Sequence, residues 1–210
     1  FENTELITQT QIAGVFWNMY NGNITIRNCS FIRISGQGLE GYVYTSNSAT
    51  ISHVIFDRCY FIDCGKVGDL QLISVWNKQS SIKLYSCKFC FSTSPRTCGV
   101  LDIRTNDCVF DNCHFICCSS NAILLSNKAV ASEQPNGTFE FTNNRVKNNH
   151  GKFINAVRML TKPIIENNTF ESTTLDGDYY IQIPHNQLLI EINNNTFTEI
   201  ISIGNQYNSR

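Results

Sequence analysis

A repeated phrase is the feature that most constrains the fold of this chain. The hexapeptide Ile165–Phe170 (IENNTF) returns as Ile192–Phe197 (INNNTF), and five weaker copies precede them. Successive copies lie 30, 28, 26, 31, 24 and 27 residues apart. A loosely kept period of this size predicts a solenoid with one coil per repeat, in which individual loops can lengthen. Aligned two residues before the aromatic position, the copies give one column: Cys29, Cys59, Cys87, Cys113, Asn144, Asn168 and Asn195.

Each repeat contains three short segments with β character. An alternating run such as Ile82–Leu84 or Phe139–Phe141 precedes the column residue, and a short run carrying a large apolar residue follows it. Three strands per coil, all advancing the same way, predict an all-β fold: a right-handed parallel β-helix of about seven coils. The first segment of each coil, ahead of the alternating run, is a β-rich run: Gly14–Asn18, Tyr42–Asn47, Leu70–Asn77, Val100–Asn106, Ala122–Asn127, Phe153–Leu160 and Tyr179–Ile183.

Two columns of side chains are predicted inside the helix, because equivalent residues of successive coils are about 4.8 Å apart. The column from Cys29 to Asn195 is interpreted as a structural ladder at the turn. Asparagine tolerates left-handed backbone there and can hydrogen-bond from coil to coil, and cysteine packs as a small apolar residue. The second column is the predicted core stack: Phe31, Phe61, Phe89, Phe115, Val146, Phe170 and Phe197.

The repeats run nearly from end to end, so residues 1–210 are expected to form a single domain. The main interruption is a polar stretch at residues 126–138, interpreted as an outward loop inserted in one coil. Neither end shows an obvious capping helix, and an uncapped parallel edge invites pairing. We therefore expect a fragment of a longer chain, whose other segments are its first partners.

Charge and hydropathy exclude several classes of function. The formal net charge is -1 and the 16 Lys and Arg residues are scattered, which argues against nucleic acid as a partner. The longest apolar stretches are five or six residues, so no membrane span is expected in this segment. No motif in the chain indicates a cofactor.

The phrases at Asn28–Phe31 (NCSF), Asn112–Phe115 (NCHF) and Asn167–Phe170 (NNTF) resemble the repeats of right-handed parallel β-helix proteins of the pectate-lyase-like superfamily. The copies with a second cysteine, at Cys59–Cys64 and Cys113–Cys118, are more similar to cysteine-rich β-helix surface proteins of parasitic protists, related in style to bacterial polymorphic outer-membrane proteins. The resemblance spans about Val15 to Ile201 and implies fold rather than function, since this fold hosts lyases, hydrolases and adhesins. The Gly-Gly-Ala-Ile motif of the bacterial family is absent from the sequence.

The ten cysteines raise the question of disulfides. In-register cysteines of a parallel stack have parallel side chains, which makes the disulfide torsion awkward, so stacked free thiols are favoured in the ladder. Cys64 and Cys118 share a column but stand two coils apart, too far for a bond. The better candidates for one or two bridges lie off these columns: Cys90, Cys98, Cys108 and Cys117.

Candidates for catalysis are weak. Asp57, Asp111 and Glu166 fall at equivalent outward positions, but each pair is two coils, or about 9.6 Å, apart, at or beyond the upper end for an inverting acid–base pair. The spacing Cys87-x-x-Cys90 is a single pair rather than two zinc knuckles. No catalytic residue and no metal ligand is predicted, and a non-catalytic role is favoured.

Binding is the better prediction. Aromatic residues in the first strand of their coils could form an exposed stripe for sugar rings or a partner protein, although the simpler interpretation is that half of them face the core. We expect a surface or secreted protein segment acting as a spacer or adhesive surface, with a host or matrix protein or a carbohydrate as partner. The alternative is a carbohydrate-binding or polysaccharide-degrading β-helix. Among the sequons, Asn136 on the loop is the expected glycosylation site. The candidate stripe is Trp17, Tyr42, Tyr44, Trp76 and Tyr179.

Overall fold

The structure is a computed structural model, and every secondary-structure element in its described residues is a β-strand. The described residues are 2–10, 16–17, 22–35, 43–45, 52–62, 73–75, 80–90, 101–103, 105, 107–118, 123–126, 137–149, 153–158, 162–175, 181–182 and 190–202.

The strands of the first half are β1 Glu5–Thr10, β2 Phe16–Trp17, β3 Gly22–Arg27, β4 Ser30–Ser35, β5 Val43–Thr45, β6 Ser52–Asp57, β7 Tyr60–Ile62, β8 Ile73–Val75, β9 Ser81–Tyr85, β10 Lys88–Cys90 and β11 Leu101–Ile103. Those of the second half are β12 Asp107–Asp111, β13 His114–Ile116, β14 Ile123–Ser126, β15 Thr138–Thr142, β16 Arg145–Lys147, β17 Ile154–Arg158, β18 Lys162–Glu166, β19 Thr169–Leu175, β20 Ile181–Gln182, β21 Glu191–Asn193 and β22 Thr196–Ser202.

These strands form three parallel sheets, each taking every third strand of the chain. The entry sheet leads into the ladder turn and has the order β3-β6-β9-β12-β15-β18-β21. The exit sheet follows that turn, with the order β1-β4-β7-β10-β13-β16-β19-β22, and the third sheet has the order β2-β5-β8-β11-β14-β17-β20. This topology confirms the predicted parallel β-helix with three strands per coil. Each of the seven β-rich runs predicted to open the coils contains one strand of the third sheet.

One strand was missed by the seven-coil prediction. β1 pairs in register with β4, with Leu6 opposite Phe31, so the exit sheet has an eighth strand. Asn3 has a left-handed φ of 51°, as Asn28 does in the next coil. Residues 3–6 (NTEL) are therefore another copy of the repeat. The copy is hard to detect because Thr4 and Leu6 replace the cysteine and the phenylalanine.

The core is built from the inward positions of all three sheets, and its largest fully buried side chains are mainly phenylalanines. On the entry sheet the inward pairs include Val54 and Phe56, which lie opposite Ile82 and Leu84 of the next coil. On the third sheet Ile73 and Val75 are fully buried. The order of strands thus stacks like positions on one another, which is the packing expected of a solenoid.

Candidate functional site

The left-handed residue of the ladder turn lies one position before the ladder residue. The column Asn28, Arg58, Ser86, Asn112, Asn143, Asn167 and Asn194 has φ between 51° and 57°. The prediction that Asn144, Asn168 and Asn195 themselves adopt this backbone is therefore wrong. The left-handed residue reverses the chain at the surface, and the next residue is thereby directed inward, where Asn144 and Asn168 are 2% and 1% exposed.

The inward asparagines hydrogen-bond to the backbone of the preceding coil. Oδ1 of Asn144 accepts from the backbone N–H of Cys113 at 2.7 Å, and its Nδ2 donates to the carbonyl of Phe110 at 2.9 Å. Asn168 repeats both bonds, to the N–H of Asn144 at 2.8 Å and the carbonyl of Phe141 at 2.7 Å. Each side chain thus satisfies one buried donor and one buried acceptor, groups that are costly to leave unpaired.

The ladder cysteines make the same kind of contact. The thiol of Cys59 donates to the carbonyl of Ile26 at 3.4 Å, and that of Cys87 donates to the carbonyl of Phe56 at 3.5 Å. The backbone N–H of Cys59 in turn contacts the Cys87 sulfur. A thiol is a weak donor and a weak acceptor, so cysteine is a weaker replacement for asparagine at this position.

The environment of these cysteines keeps them as thiols. The pKa of Cys59 is raised mainly by its hydrogen bond with Cys87 and then by burial, and the pKa of Cys87 is raised mainly by burial. Because the thiolate is the nucleophile, raised pKa values make both side chains poor nucleophiles. The arrangement suits packing and hydrogen bonding rather than covalent chemistry.

A second ladder runs along the far end of the exit sheet, and the sequence analysis did not find it. Cys117 and Asn148 have left-handed φ values of 57° and 53°, and the residues after them, Cys118 and Asn149, are buried. Oδ1 of Asn149 accepts from the N–H of Cys118 at 2.6 Å, and its Nδ2 donates to the carbonyl of Phe115 at 3.3 Å. The signal was available in the doubled pairs Asn143-Asn144 and Asn148-Asn149, five residues apart.

The predicted core stack is continuous where phenylalanines follow one another. The rings of Phe61 and Phe89 are parallel with centroids 4.8 Å apart, and those of Phe89 and Phe115 are 4.9 Å apart. Phe197 stacks on Phe170 at 4.7 Å but is 46% exposed, because no described strand pairs with the outer edge of β22. The predicted members are therefore brought together, and the last of them is half exposed rather than buried.

The three outward carboxylates pair with neighbouring side chains, and each has at least one partner in an adjacent coil. Asp57 contacts Arg58 at 3.2 Å, and Arg27 of the preceding coil at 3.7 Å. Asp111 accepts hydrogen bonds from Thr142 at 3.0 Å and Asn143 at 2.7 Å.

The third carboxylate, Glu166, accepts from Asn193 at 2.7 Å. The register places Tyr85 between Asp57 and Asp111 and Thr142 between Asp111 and Glu166, so no two of the three carboxylates are neighbours. The column does not assemble an acid–base pair.

A cluster of positive and negative side chains lies on β16 and β19 of the exit sheet. Arg145 donates to Glu171 at 2.9 Å, and Lys147 lies 3.8 Å from the same carboxylate oxygen. The hydrogen bond from Arg145 is the main cause of the lowered pKa of Glu171. His114, in register with Arg145, has a lowered pKa because of partial burial and the nearby charges of Arg145 and Lys88. These contacts between coils resemble those of Asp111 and Glu166 and do not form a binding or catalytic site.

Several predicted positions cannot be placed. Tyr42, Trp76, Tyr179 and Asn136 lie outside the described residues, as do Cys64 and Cys98. For Trp17 and Tyr44 the backbone is described, and the two are register partners on β2 and β5. The exposed large apolar residues among the described ones are not those of the predicted stripe. Tyr60 at 45% and Ile62 at 38% lie on the outer face of the exit sheet, and the others are in the last coil: Ile190, Ile192 and Phe197.

Two structural features are lacking in the described part of the chain. No helix there is long and apolar enough to cross a membrane. Within the same residues, no group of three or more His, Cys, Asp or Glu side chains is arranged to hold a metal ion.

Comparison with known proteins identifies the family. The family described as a right handed beta helix region matches residues 7–170, which is more than half of the chain. The chain therefore belongs to the right-handed β-helix family, and the handedness predicted from the sequence is confirmed. None of the curated proteins compared with the chain matches it significantly.

Proposed function

We propose that the chain is a non-catalytic β-helix segment that acts as a structural spacer and interaction surface. The observation that carries the proposal is the use of the outward carboxylates. Asp57, Asp111 and Glu166 each bond to a side chain of an adjacent coil, and they are separated along the column by Tyr85 and Thr142. Acidic groups on this fold are thus used to hold coils together, which is what a rigid rod requires.

A spacer needs length and stiffness, and both columns inside the helix supply them. The ladder asparagines bond from coil to coil between Cys113 and Asn195. The phenylalanine rings stack from Phe31 to Phe115 and again between Phe170 and Phe197, with Val146 between the two runs. Eight exit strands at a spacing of about 4.8 Å give a rod about 34 Å long. The outer face of the exit sheet, with Tyr60 and Ile62 exposed, is a surface available to a partner protein or carbohydrate.

The decisive experiment is a turnover assay on a panel of acidic and neutral polysaccharides, with and without calcium, using the whole chain and Asp111→Asn. We expect no turnover by either protein, and a lowered stability of Asp111→Asn because its carboxylate holds Thr142 and Asn143. Turnover by the whole chain that Asp111→Asn abolishes would overturn the proposal. Asn193→Ala, which removes a partner of Glu166 without removing a carboxylate, is the matched control.

A carbohydrate-binding role is the second candidate. It is favoured by the pairing of Trp17 with Tyr44 in register on neighbouring coils, because adjacent aromatic residues can stack on sugar rings. Binding to a glycan panel that is lost in Trp17→Ala and in Tyr44→Ala, with unchanged thermal unfolding, would support this role over a simple spacer.

We further propose that the segment belongs to a surface or secreted protein, of the kind represented by the cysteine-rich β-helix proteins of parasitic protists. The support is the similarity of the cysteine-containing repeats together with the sequons, two at the exposed turns of Asn167 and Asn194 and one at Asn136 in the stretch predicted as a loop. We expect Asn136 to carry a glycan in native material. A mass that glycosidase treatment leaves unchanged would contradict secretion through a glycosylating pathway.

A further inference from the structure

Two cysteines lie on the outer surface of the exit sheet in adjacent coils. Cys90 ends β10 and is partly exposed, and Cys117 follows β13 and is exposed. Both are free thiols in the structure. The register pairs Cys90 with Ile116, so Cys117 stands one residue beyond the position directly opposite Cys90.

The left-handed backbone of Cys117 brings its side chain to the same surface as Cys90. In an ordinary strand the residue after the outward Ile116 would point inward. Here Cys117 has a φ of 57° and is exposed, and the inward position is taken by Cys118, which is 1% exposed. Strand spacing and rise per residue place the Cα atoms of Cys90 and Cys117 roughly 5.8 Å apart, within the disulfide range of about 4.4 to 6.8 Å.

The first ladder turn shows that side chains in this relationship meet. Asn143 is left-handed, with a φ of 56°, and follows Thr142, which is the register partner of Asp111. Cys117 likewise follows the register partner of Cys90. Nδ2 of Asn143 donates to Oδ1 of Asp111 at 2.7 Å, so the diagonal placement brings the two side-chain ends into contact. Straight-across pairs have parallel side chains and lack this offset.

We propose that Cys90 and Cys117 form an oxidative modification site, in which a low-molecular-weight disulfide such as glutathione disulfide converts the two thiols into a disulfide between coils. The exposed thiol of Cys117 loses its proton and attacks glutathione disulfide, giving a mixed disulfide and releasing one glutathione thiolate. The thiol of Cys90 then loses its proton and attacks the Cys117 sulfur, and the second glutathione leaves. Two protein thiols are oxidised, and one glutathione disulfide is reduced to two glutathione molecules.

The neighbouring thiol of Cys118 is excluded from this exchange. Its side chain is buried, and burial is the main cause of its strongly raised pKa, with the nearby Cys90 and Cys117 adding to the shift. A buried cysteine that remains a thiol reacts slowly with a disulfide. The raised pKa of Cys90, caused by its partial burial and opposed by Lys88, makes it the resolving partner rather than the first nucleophile.

The test treats the whole reduced chain with glutathione disulfide, quenches the exchange with acid, and then blocks the remaining thiols with N-ethylmaleimide in denaturant, so that buried thiols are also labelled. Peptides are then mapped by mass spectrometry without reduction. Trypsin places Cys90 alone in Phe89–Arg96, and chymotryptic cleavage after Phe115 separates Cys117 and Cys118 from Cys108 and Cys113. We expect a cross-linked peptide joining Cys90 to Cys117, with Cys118 carrying N-ethylmaleimide. Separate glutathione adducts on Cys90 and Cys117, or a bond between Cys117 and Cys118, would overturn the proposal.

Two variants separate this geometry from general thiol reactivity. In Cys90→Ser we expect a stable glutathione adduct on Cys117, because the resolving thiol is missing. In Ile116→Cys combined with Cys117→Ser the thiol moves to the position directly opposite Cys90, and we expect the cross-link to be lost. An equal yield of cross-link in that double variant would show that the left-handed turn is not the cause, and would contradict the inference. All three substitutions are at outward, partly or fully accessible positions of the exit sheet, so unchanged circular dichroism verifies folding.

Discussion

Asn144 and Cys113 meet where the ladder changes from cysteine to asparagine: the backbone N–H of Cys113 donates to Oδ1 of Asn144 at 2.7 Å. On its other side, Cys113 donates its thiol to the carbonyl of Leu84 at 3.5 Å, the contact that Asn144 makes through Nδ2 with the carbonyl of Phe110. Cysteine and asparagine therefore pair with the same backbone groups of the preceding coil, and the hydrogen bonds of asparagine are the stronger ones. The cysteine half of the helix and the asparagine half are one structure.

This equivalence predicts the effect of substitutions at Asn144. Asn144→Ala leaves the buried N–H of Cys113 and the buried carbonyl of Phe110 without partners, and should lower the free energy of unfolding by about 2–5 kcal/mol. Asn144→Cys restores a weaker version of both contacts and should cost about half as much. Urea denaturation of the two variants beside the unsubstituted chain measures the difference. Equal losses would show that the thiols of the first coils are only space-filling.

The fold was predictable from the sequence because the repeat needs no long-range information. One aromatic residue, one ladder residue and one alternating run per coil define the strands on both sides of the turn, and β6 and β9 follow directly from them. The missed strand β1 pairs like the other exit strands, but its repeat copy matches the pattern poorly, with Thr4 and Leu6 in place of a cysteine and a phenylalanine. These substitutions conceal the repeat copy in the sequence, and the register of β1 with β4 reveals it.

The details of the turn were less predictable. Asn143 and Asn144 are identical in sequence, yet one adopts the left-handed backbone at the surface and the other is buried. The sequence does not say which of two adjacent asparagines turns the chain. Cys108 shows a similar difficulty, because it was grouped with the cysteines outside the columns as a disulfide candidate and is instead a core residue in register with Ile82. Its inward position depends on where β12 begins.

The left-handed turns predict a clear order of substitutions at Asn167, whose φ is 57° and whose side chain is exposed. Asn167→Val should lower the free energy of unfolding by about 1–2 kcal/mol, because Cβ branching is strained in this backbone. Asn167→Gly should change it by less than about 1 kcal/mol, because glycine adopts positive φ without strain. Thermal unfolding of both variants gives the comparison, and a valine variant as stable as the glycine variant would argue against a left-handed residue at this site.

The core stack predicts that replacing phenylalanine by alanine lowers the free energy of unfolding by different amounts at two positions. Phe89 is fully buried between the rings of Phe61 and Phe115, and Phe89→Ala should lower the free energy of unfolding by about 3–5 kcal/mol. Phe197→Ala removes the same atoms from a ring that is 46% exposed and stacked on Phe170 alone in the column, and should cost less than half as much. The two variants are each other's control in a single denaturation series. Similar losses would mean that Phe197 is covered in solution, for example by self-association, which sedimentation would detect.

Buried thiols also predict a loss of stability at alkaline pH. Burial raises the pKa of Cys108 from 9.0 to about 12, with the hydrogen bond from Thr105 opposing the shift. Because the unfolded chain releases this proton first, the native state binds more protons above about pH 9, and the unfolding free energy must fall as the pH rises from about 9 towards 12. The slope contributed by one such thiol is up to about 1.4 kcal/mol per pH unit.

Comparison of variants isolates this contribution from the other groups that titrate in the same range. Cys108→Ala should have a lower free energy of unfolding at neutral pH because of the cavity it creates. The difference in this free energy between the variant and the unsubstituted chain should narrow steadily above about pH 9. Ile82→Val, on the register partner of Cys108, removes core volume without removing an ionisable group, so its difference should stay constant with pH. Urea denaturation across this pH range measures both. A Cys108→Ala difference as constant as that of Ile82→Val would show that the Cys108 proton is equally held in the folded and unfolded chains.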